Sequence, residues 1–395
     1  MFKKWLVKKE LKTRLEKCFE YAELYQVYKS GNRERHIYPV IHSSRVFNDP
    51  DRVEYIFTLL NGMDPKEVGK KEYVFKQVFG KNVEIKGDYK KFVVNIYGES
   101  LPKELKYRFE TFAPLLVGHR LPVLCGKNQH GEYVSYDMVE YPHLLIAGET
   151  GSGKSTQLRS ILTTLIKMKK PEELQLYLGD LKRSEFHLFR KIAHVKKVMT
   201  KTTELTTCLS SLKKEMESRG DLLDKYECTH IDDLNKLRAE KLPYIVLAVD
   251  EVALLKNEKK IMAVIEDISA IGRALGVFLI LSMQRPDRDV LDGKLKNNLT
   301  VRMAFKHADA INSRITIGRS GAEDIDITER GRMYLKLDKL SLLQAPYLTD
   351  INAKKLLEGY KTTGDKEDDI VEELPQKIED KKPIEFGLLG GDTID

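Results

Sequence analysis

The sequence predicts an α/β fold with a mainly parallel central sheet, and three observations predict it. Four runs, His143–Ala147, Leu174–Gly179, Tyr244–Val249 and Gly276–Met283, are short and apolar, as strands buried on both faces should be. Helical spacing follows in Gln157–Lys169, Thr203–Leu223 and Lys259–Leu275, the first with Leu158, Ile161, Leu162, Leu165 and Ile166 on one face. Between the first strand and its helix lies Gly148-Glu149-Thr150-Gly151-Ser152-Gly153-Lys154-Ser155-Thr156, which fits G-x-x-x-x-G-K-[ST]. Strand, glycine loop and helix is the context this phosphate-binding motif requires. The predicted class is therefore a RecA-like P-loop NTPase core, preceded by a small α/β domain and an N-terminal helix.

The chemistry follows from the spacing. Glycines let the backbone curl until its N–H groups converge on phosphate oxygens, and the helix start adds partial positive charge. Lys154 is placed to reach the β- and γ-phosphates of ATP, and the Ser155 hydroxyl to hold Mg²⁺. About a hundred residues on, Tyr244–Val249 ends in Asp250-Glu251, the Walker B pattern. Asp250 then serves the Mg²⁺ shell, and Glu251 orients and polarises the attacking water. The second carboxylate argues for hydrolysis beyond binding. Gln284, at the tip of Gly276–Met283, suits a sensor of the γ-phosphate, with a strand-end cap as the plainer alternative. Asp180 and Lys182 stand at the carboxyl end of another strand, where ligands gather in open α/β sheets.

The remaining elements are read in order. Met1–Lys29 reads as one helix, with Leu11, Leu15, Phe19 and Ala22 on one face, packing on its own protein or on a membrane surface. In the following module, Tyr38–Ile41 reads as a strand and Asp51–Leu60 as a helix behind Asn48-Asp49-Pro50. Pro65–Phe79 reads as a second helix, and Asn82–Ile85 with Lys91–Tyr97 as a hairpin. Pro114–Met138 reads as a hairpin leading into the phosphate-loop strand. Asp287–Asn298 reads as a polar loop, Asp309–Ile317 as a helix and Gly331–Leu337 as the last strand. The expected organisation is a basic helix over 1–35, a small α/β domain over 36–110, the ATPase motor over 111–350 and an acidic tail over 351–395. The tail has few aromatics and is expected to be disordered from about Gly364.

The net charge is +7, and residues 365–395 hold seven more carboxylates than cations, so the rest carries about +14. A basic body suits a nucleic-acid partner, although a solvated surface has the same composition. No stretch approaches the ~18–20 apolar residues of a membrane span. The four cysteines, Cys18, Cys125, Cys208 and Cys228, form no C-x-x-C pair. A reduced cytoplasm is the simplest setting, with membrane association only through a partner.

Several motifs together resemble the motor domain of the FtsK/SpoIIIE DNA translocases, within the FtsK–HerA group of ring ATPases. They are Tyr141–Ser155, Ile271-Gly272-Arg273-Ala274-Leu275-Gly276, Ser282-Met283-Gln284-Arg285-Pro286, Ala304-Phe305-Lys306, Asn312-Ser313-Arg314, Gly321-Ala322-Glu323 and Gly331-Arg332-Met333-Tyr334-Leu335. The resemblance runs from about Pro114 to Leu348. It implies a homo-hexameric ring around double-stranded DNA, with ATP at subunit interfaces and no other small-molecule substrate. It also implies an arginine finger from the neighbouring subunit, placed here at Arg273 with Arg285, Arg302 and Arg314 as rivals. Pore-facing contacts to DNA phosphates are assigned by loop position and charge to Lys182, Lys294, Lys296 and Asn297. Within the 395 residues no multi-span region or long linker is read before the motor and no winged helix after it, so a compact form is expected. Compact forms of this kind resemble proteins of plasmids and integrative conjugative elements. The leading reading is a duplex-DNA translocase. The alternatives are a conjugative coupling ATPase delivering a nucleoprotein to a membrane channel, and a protein-secretion ATPase. A relaxase, a replication protein or a membrane channel component remains open as a further partner.

Overall fold

The structure is a computed structural model that describes residues 2–362 apart from 31–32, 49–50, 81, 99–100, 288 and 292. The chain divides after Lys361, and the elements below belong to the unit before that point. Helix α1 (Phe2–Tyr21) opens the chain. Leu15, Cys18, Phe19 and Ala22 recur at helical spacing and are fully buried in one cluster with Tyr55, Phe57 and Phe75. The expected continuation of this helix to Lys29 does not occur. Glu23 takes a left-handed conformation (φ 55°), which ends the helix. The β-favouring run after it forms β1 (Gln26–Ser30), antiparallel to β2 (Arg33–Ile37).

Strands β3 (Val40–Asn48) and β4 (Asp51–Thr58) follow. β4 lies where a helix is expected. Tyr55, Phe57 and Leu59 alternate inward, so the apolar period is two, and a helix would have scattered them around its circumference. The residues 49–50 of the supposed helix start lie outside the described set. The next helix is two, α2 (Lys66–Lys70) and α3 (Glu72–Phe79), interrupted at Lys71. β5 (Val83–Lys86) and β6 (Lys91–Tyr97) form the expected hairpin, and the four-stranded sheet has the order β3-β4-β6-β5. Helix α1 shares this module's apolar core.

A strap, β7 (Leu105–Lys106) and α4 (Phe109–Phe112), leads to the hairpin β8 (Pro122–Asn128) and β9 (Tyr133–Asp137). The main series is then β10 (Leu144–Ala147), α5 (Lys154–Met168), β11 (Leu174–Gly179), β12 (Val195–Met199), α6 (Thr202–Lys225) and α7 (Ile231–Leu237). It continues with β13 (Tyr244–Val249), α8 (Lys259–Leu275), β14 (Val277–Met283), α9 (Gly293–Asn298), β15 (Val301–Ala304) and α10 (Ala310–Ile317). β16 (Arg332–Lys336), β17 (Leu340–Gln344), β18 (Pro346–Tyr347) and α11 (Asp350–Leu357) complete it.

Ten strands join one sheet in the order β12-β11-β13-β14-β10-β15-β16-β17-β8-β9. The first six are parallel and the rest antiparallel. Side chains alternate across it: Leu144 and Ile146 join the layer under α5, while Leu145 and Ala147 join the layer under α6 and α8. The β8–β9 hairpin occupies the far edge, separated from β10 by three strands, and does not lead directly alongside it.

Three further expectations are corrected. The polar segment Asp287–Asn298 contains α9, because Val290, Leu291 and Leu295 are buried and anchor it. The strand at Arg332–Lys336 is not the last, since β17 pairs with it in full register. The tail does not begin at 351: Thr349 caps α11 by accepting the Asn352 amide at 3.2 Å, and Ala353 and Leu357 are buried against the main core. The acidic stretch from Gly364 lies outside the described residues. No helix among the described residues is long and apolar enough to cross a membrane.

Candidate nucleotide site

The site begins where β10 runs out of apolar residues. Gly148, Gly151 and Gly153 all adopt positive φ (154°, 80° and 112°), which L side chains resist. Packing adds a second constraint at Gly153, where a Cβ would stand 2.8 Å from the Gly331 nitrogen. The loop is pinned from outside: the Glu149 amide donates to the Lys306 carbonyl (2.9 Å) and the Gly331 amide to the Ser152 carbonyl (2.8 Å). Ser152 Oγ closes the turn on the Glu149 carbonyl at 2.7 Å. Helix α5 starts at Lys154, with its first-turn amides toward the cleft.

Lys154, Ser155, Thr156, Glu149, Thr150, Gly151, Gly153, Asp250 and Gln284 line one cleft of ≈ 640 Å³. Lys154 is buried, and its Nζ donates to Ser282 Oγ at 3.2 Å. Burial lowers its pKa, and the charge of Glu251 opposes that shift most. The Asp250 amide donates to the Gly179 carbonyl (3.1 Å), which registers the end of β13 against β11. Its Oδ1 accepts the Leu181 amide at 3.1 Å, while the buried Oδ2 has no hydrogen-bond partner. Burial, helped by the neighbouring charge of Asp180, raises the Asp250 pKa to about 6. A buried acceptor without a donor, in a cleft that Ser155 also lines, fits a divalent cation.

Glu251 is held on two sides. The Gln284 backbone N–H donates to both carboxylate oxygens (3.1 and 3.2 Å), and Lys182 Nζ lies 2.7 Å from Oε2. The structure thus places Lys182 in the phosphate cleft with its ammonium on Glu251, and a DNA contact by this side chain requires that pair to open. Asp180 does not face the cleft as a free ligand: its carboxylate accepts the Ser184, Glu185 and Phe186 amides at 2.9, 3.3 and 3.0 Å and so shapes the loop that carries Lys182.

Arg273 is not brought to this chain's own phosphate loop. It closes α8 at the edge where the parallel strands begin, opposite the cleft, and its Nε donates to the Val139 carbonyl at 3.2 Å. Among its rivals, Arg302 is buried and donates to the carbonyls of Leu299, Thr316 and Lys296, so it is consumed in holding α9 and α10 to β15. Arg314 and Arg285 are exposed. Lys294 and Asn297 are exposed on α9, and Lys296 is half-buried there, all near the start of β15 at the edge away from the cleft.

Part of the cleft wall has no local signal in the sequence. Lys103 and Glu104, just before β7, line the cleft together with Arg330, Gln344 and Tyr347. β7 and β18 bring the Lys103–Glu104 segment to Tyr347 by parallel pairing, Leu105 with Pro346 and Lys106 with Tyr347. The Tyr107 hydroxyl fixes the strap to α5 through Thr164 at 3.0 Å.

Residues 117–288 match the FtsK/SpoIIIE family. This segment belongs to that family. It contains the whole FtsK/SpoIIIE phosphate loop, the Asp250-Glu251 strand end and Gln284. The DNA translocase FtsK of Borreliella burgdorferi is 38% identical over 217 residues, which are 52% of this chain and 27% of that protein. The DNA translocase FtsK of Helicobacter pylori is 32% identical over 287 residues, 69% of this chain and 33% of that protein. The chain therefore spans about a third or less of the relatives it matches. Among solved structures, the pCW3 conjugation coupling protein TcpA, a monomer form with ATPγS, superposes with a TM-score of 0.60 at 25% identity. That match covers 82% of this chain and 94% of TcpA. The cytoplasmic domain of the Thermomonospora curvata type VII secretion ATPase EccC gives a TM-score of 0.56 at 26% identity, over 60% of this chain and 31% of that one.

Proposed function

We propose that the protein is an ATP-driven translocase of double-stranded DNA that works as a ring-shaped homo-hexamer. One observation carries the reading: within an FtsK/SpoIIIE segment, Lys154, Ser155, Asp250 and Gln284 line a single cleft, and Glu251 is bonded to Lys182 and Gln284 of that lining. The loop amides and Lys154 bind the β- and γ-phosphates of ATP. Ser155 and Asp250 would hold Mg²⁺, whose charge offsets that of the phosphates. Glu251 takes the position of the base that orients and polarises water, and the Gln284 amide keeps its carboxylate aimed. Arg273, remote from its own cleft, suits a finger supplied to the neighbour's cleft, where it stabilises charge on the transferring phosphoryl.

The test is steady-state ATPase activity with and without long linear duplex DNA at two salt concentrations, with Glu251→Gln as the control. Stimulation that weakens with salt and disappears in the control supports the motor. Activity indifferent to DNA removes it.

A second reading keeps the motor and changes the cargo. The likeness to TcpA spans nearly all of that chain, unlike the partial overlap with the DNA translocases FtsK. It favours DNA transfer in conjugation, with a relaxase or a membrane channel component as partner. A protein-secretion ATPase, suggested by the likeness to EccC, predicts activity that responds to a peptide and ignores DNA.

A further inference from the structure

The β1–β2 ribbon is a two-stranded sheet of its own, joined to neither the four-stranded nor the ten-stranded sheet. Such a ribbon has no core to sustain it and needs anchoring at its root. Here the Tyr25 ring stacks on His36 (centroids 3.9 Å apart, 15° between planes), and Gln26 Nε2 donates to the Asn61 carbonyl at 2.7 Å. Beyond that root the ribbon is bare. Arg33, Glu34, Arg35 and Ile37 are exposed, and Tyr28 on the facing strand is 61% exposed.

Register sorts the charges by face. Residues directly opposite in an antiparallel pair share a face, and successive residues alternate. Tyr28 opposes Arg35, Ser30 opposes Arg33, and Gln26 opposes Ile37, so these positions form one face. Lys29 opposes Glu34 on the other face, and they neutralise each other at 2.6 Å. The ribbon's only carboxylate is thus spent on the far side. The first face carries two guanidiniums and a phenol with no acid among them, and neither guanidinium has an ion-pair partner among the described residues. Arg33 and Arg35, two positions apart on one strand, stand about 6.6 Å from each other along it.

We infer that this face of the β1–β2 ribbon is a contact surface for the sugar–phosphate backbone of duplex DNA. Charge complementarity selects the occupant. A polyanion with regularly spaced phosphates satisfies both guanidiniums, and the major groove admits a two-stranded ribbon. Arg33 and Arg35 take phosphate oxygens, and Tyr28 offers its hydroxyl to the same backbone. The contact holds duplex next to the motor without reading sequence. The inference rests on the duplex-DNA reading of the motor and adds a second site to it.

The test is fluorescence anisotropy of the full chain with a labelled random-sequence duplex from 50 to 200 mM salt. Removing both cations in Arg33→Ala/Arg35→Ala should flatten the slope of log K against log salt by about 1.8. Wild type should therefore lose roughly tenfold more affinity than the variant across that range. Lys29→Gln/Glu34→Gln, on the neutral face, should keep the wild-type slope. Arg33→Lys/Arg35→Lys should keep it too, since phosphates accept a point charge. Should the alanine variant melt early, the lysine variant decides: a retained slope supports the contact, and a flattened one overturns it. A wild-type slope in a folded alanine variant overturns the inference and leaves the motor standing. Wild-type protein that binds no duplex at 50 mM salt overturns the DNA reading and the ribbon contact together.

Discussion

Lys182 Nζ lies 2.7 Å from Glu251 Oε2 at the end of the central sheet. Glu251 is 4% exposed, and a charge that deep requires a partner. Lys182 supplies it from the loop after β11, while the Gln284 amide supplies a second contact from the end of β14. Three neighbouring strand ends thereby position one carboxylate. Replacing Lys182 by Met should lower kcat for ATP hydrolysis roughly tenfold and change KM little, because the base loses orientation and the phosphate loop is untouched. Steady-state kinetics check this, and an unchanged kcat would remove Lys182 from the mechanism.

Glu251→Gln keeps the shape and the Gln284 contact but removes the charge. Nucleotide affinity should stay within a few fold of wild type, while hydrolysis falls by roughly 10²–10⁴. Fluorescent-nucleotide titration beside phosphate release separates the two quantities. A large loss of binding would show that Glu251 acts on the ground state.

Asp250 makes a prediction about stability. Its folded pKa, about 6, is raised above the ordinary carboxylate value of 3.8. The native state therefore holds a proton between those values that the unfolded chain has lost, and this group's contribution to stability falls as pH rises through that window. Above it, a buried unpartnered charge remains. Asp250→Asn should stabilise the nucleotide-free protein at pH 7.5 by on the order of 2 kcal/mol, and so raise its melting temperature, with little effect near pH 4. The same variant should lose Mg²⁺-dependent nucleotide affinity. Calorimetry at the two pH values decides, and an equal shift at both would detach the effect from titration.

Arg273 is predicted to act in trans. Arg273→Ala should bind ATP normally and lose roughly 10³-fold or more in DNA-stimulated hydrolysis. Mixing Arg273→Ala subunits with Glu251→Gln subunits should restore part of the activity, since some interfaces then pair an intact cleft with an intact finger. Mixtures as inactive as either parent would contradict that assignment.

Gly153 tests the loop itself. Its φ of 112° and the 2.8 Å approach of the Gly331 nitrogen leave no room for a methyl group. Gly153→Ala should cost roughly 1–3 kcal/mol of stability and abolish nucleotide binding, read by thermal melting and titration.

The sequence by itself determined the motor's local chemistry. The phosphate loop is nine consecutive residues between a buried strand and an amphipathic helix, and Asp250-Glu251 closes an unbroken apolar run. Both are contiguous, so pattern and spacing suffice to find them. It did not determine β4, because a turn-like start at Asn48-Asp49-Pro50 competes with the period-two burial of Tyr55 and Phe57, and only packing against α1 settles which period counts. Nor did it reveal the strand after Lys336 or the helix at Asp350–Leu357, whose few apolar residues gain meaning from the core they meet. Tertiary structure alone decided the Lys182–Glu251 pair, 69 residues apart, and the cleft wall that joins Lys103 to Tyr347. Such contacts are set by strand order and parallel pairing, which depend on the whole sheet and leave no periodic trace in the segments they join.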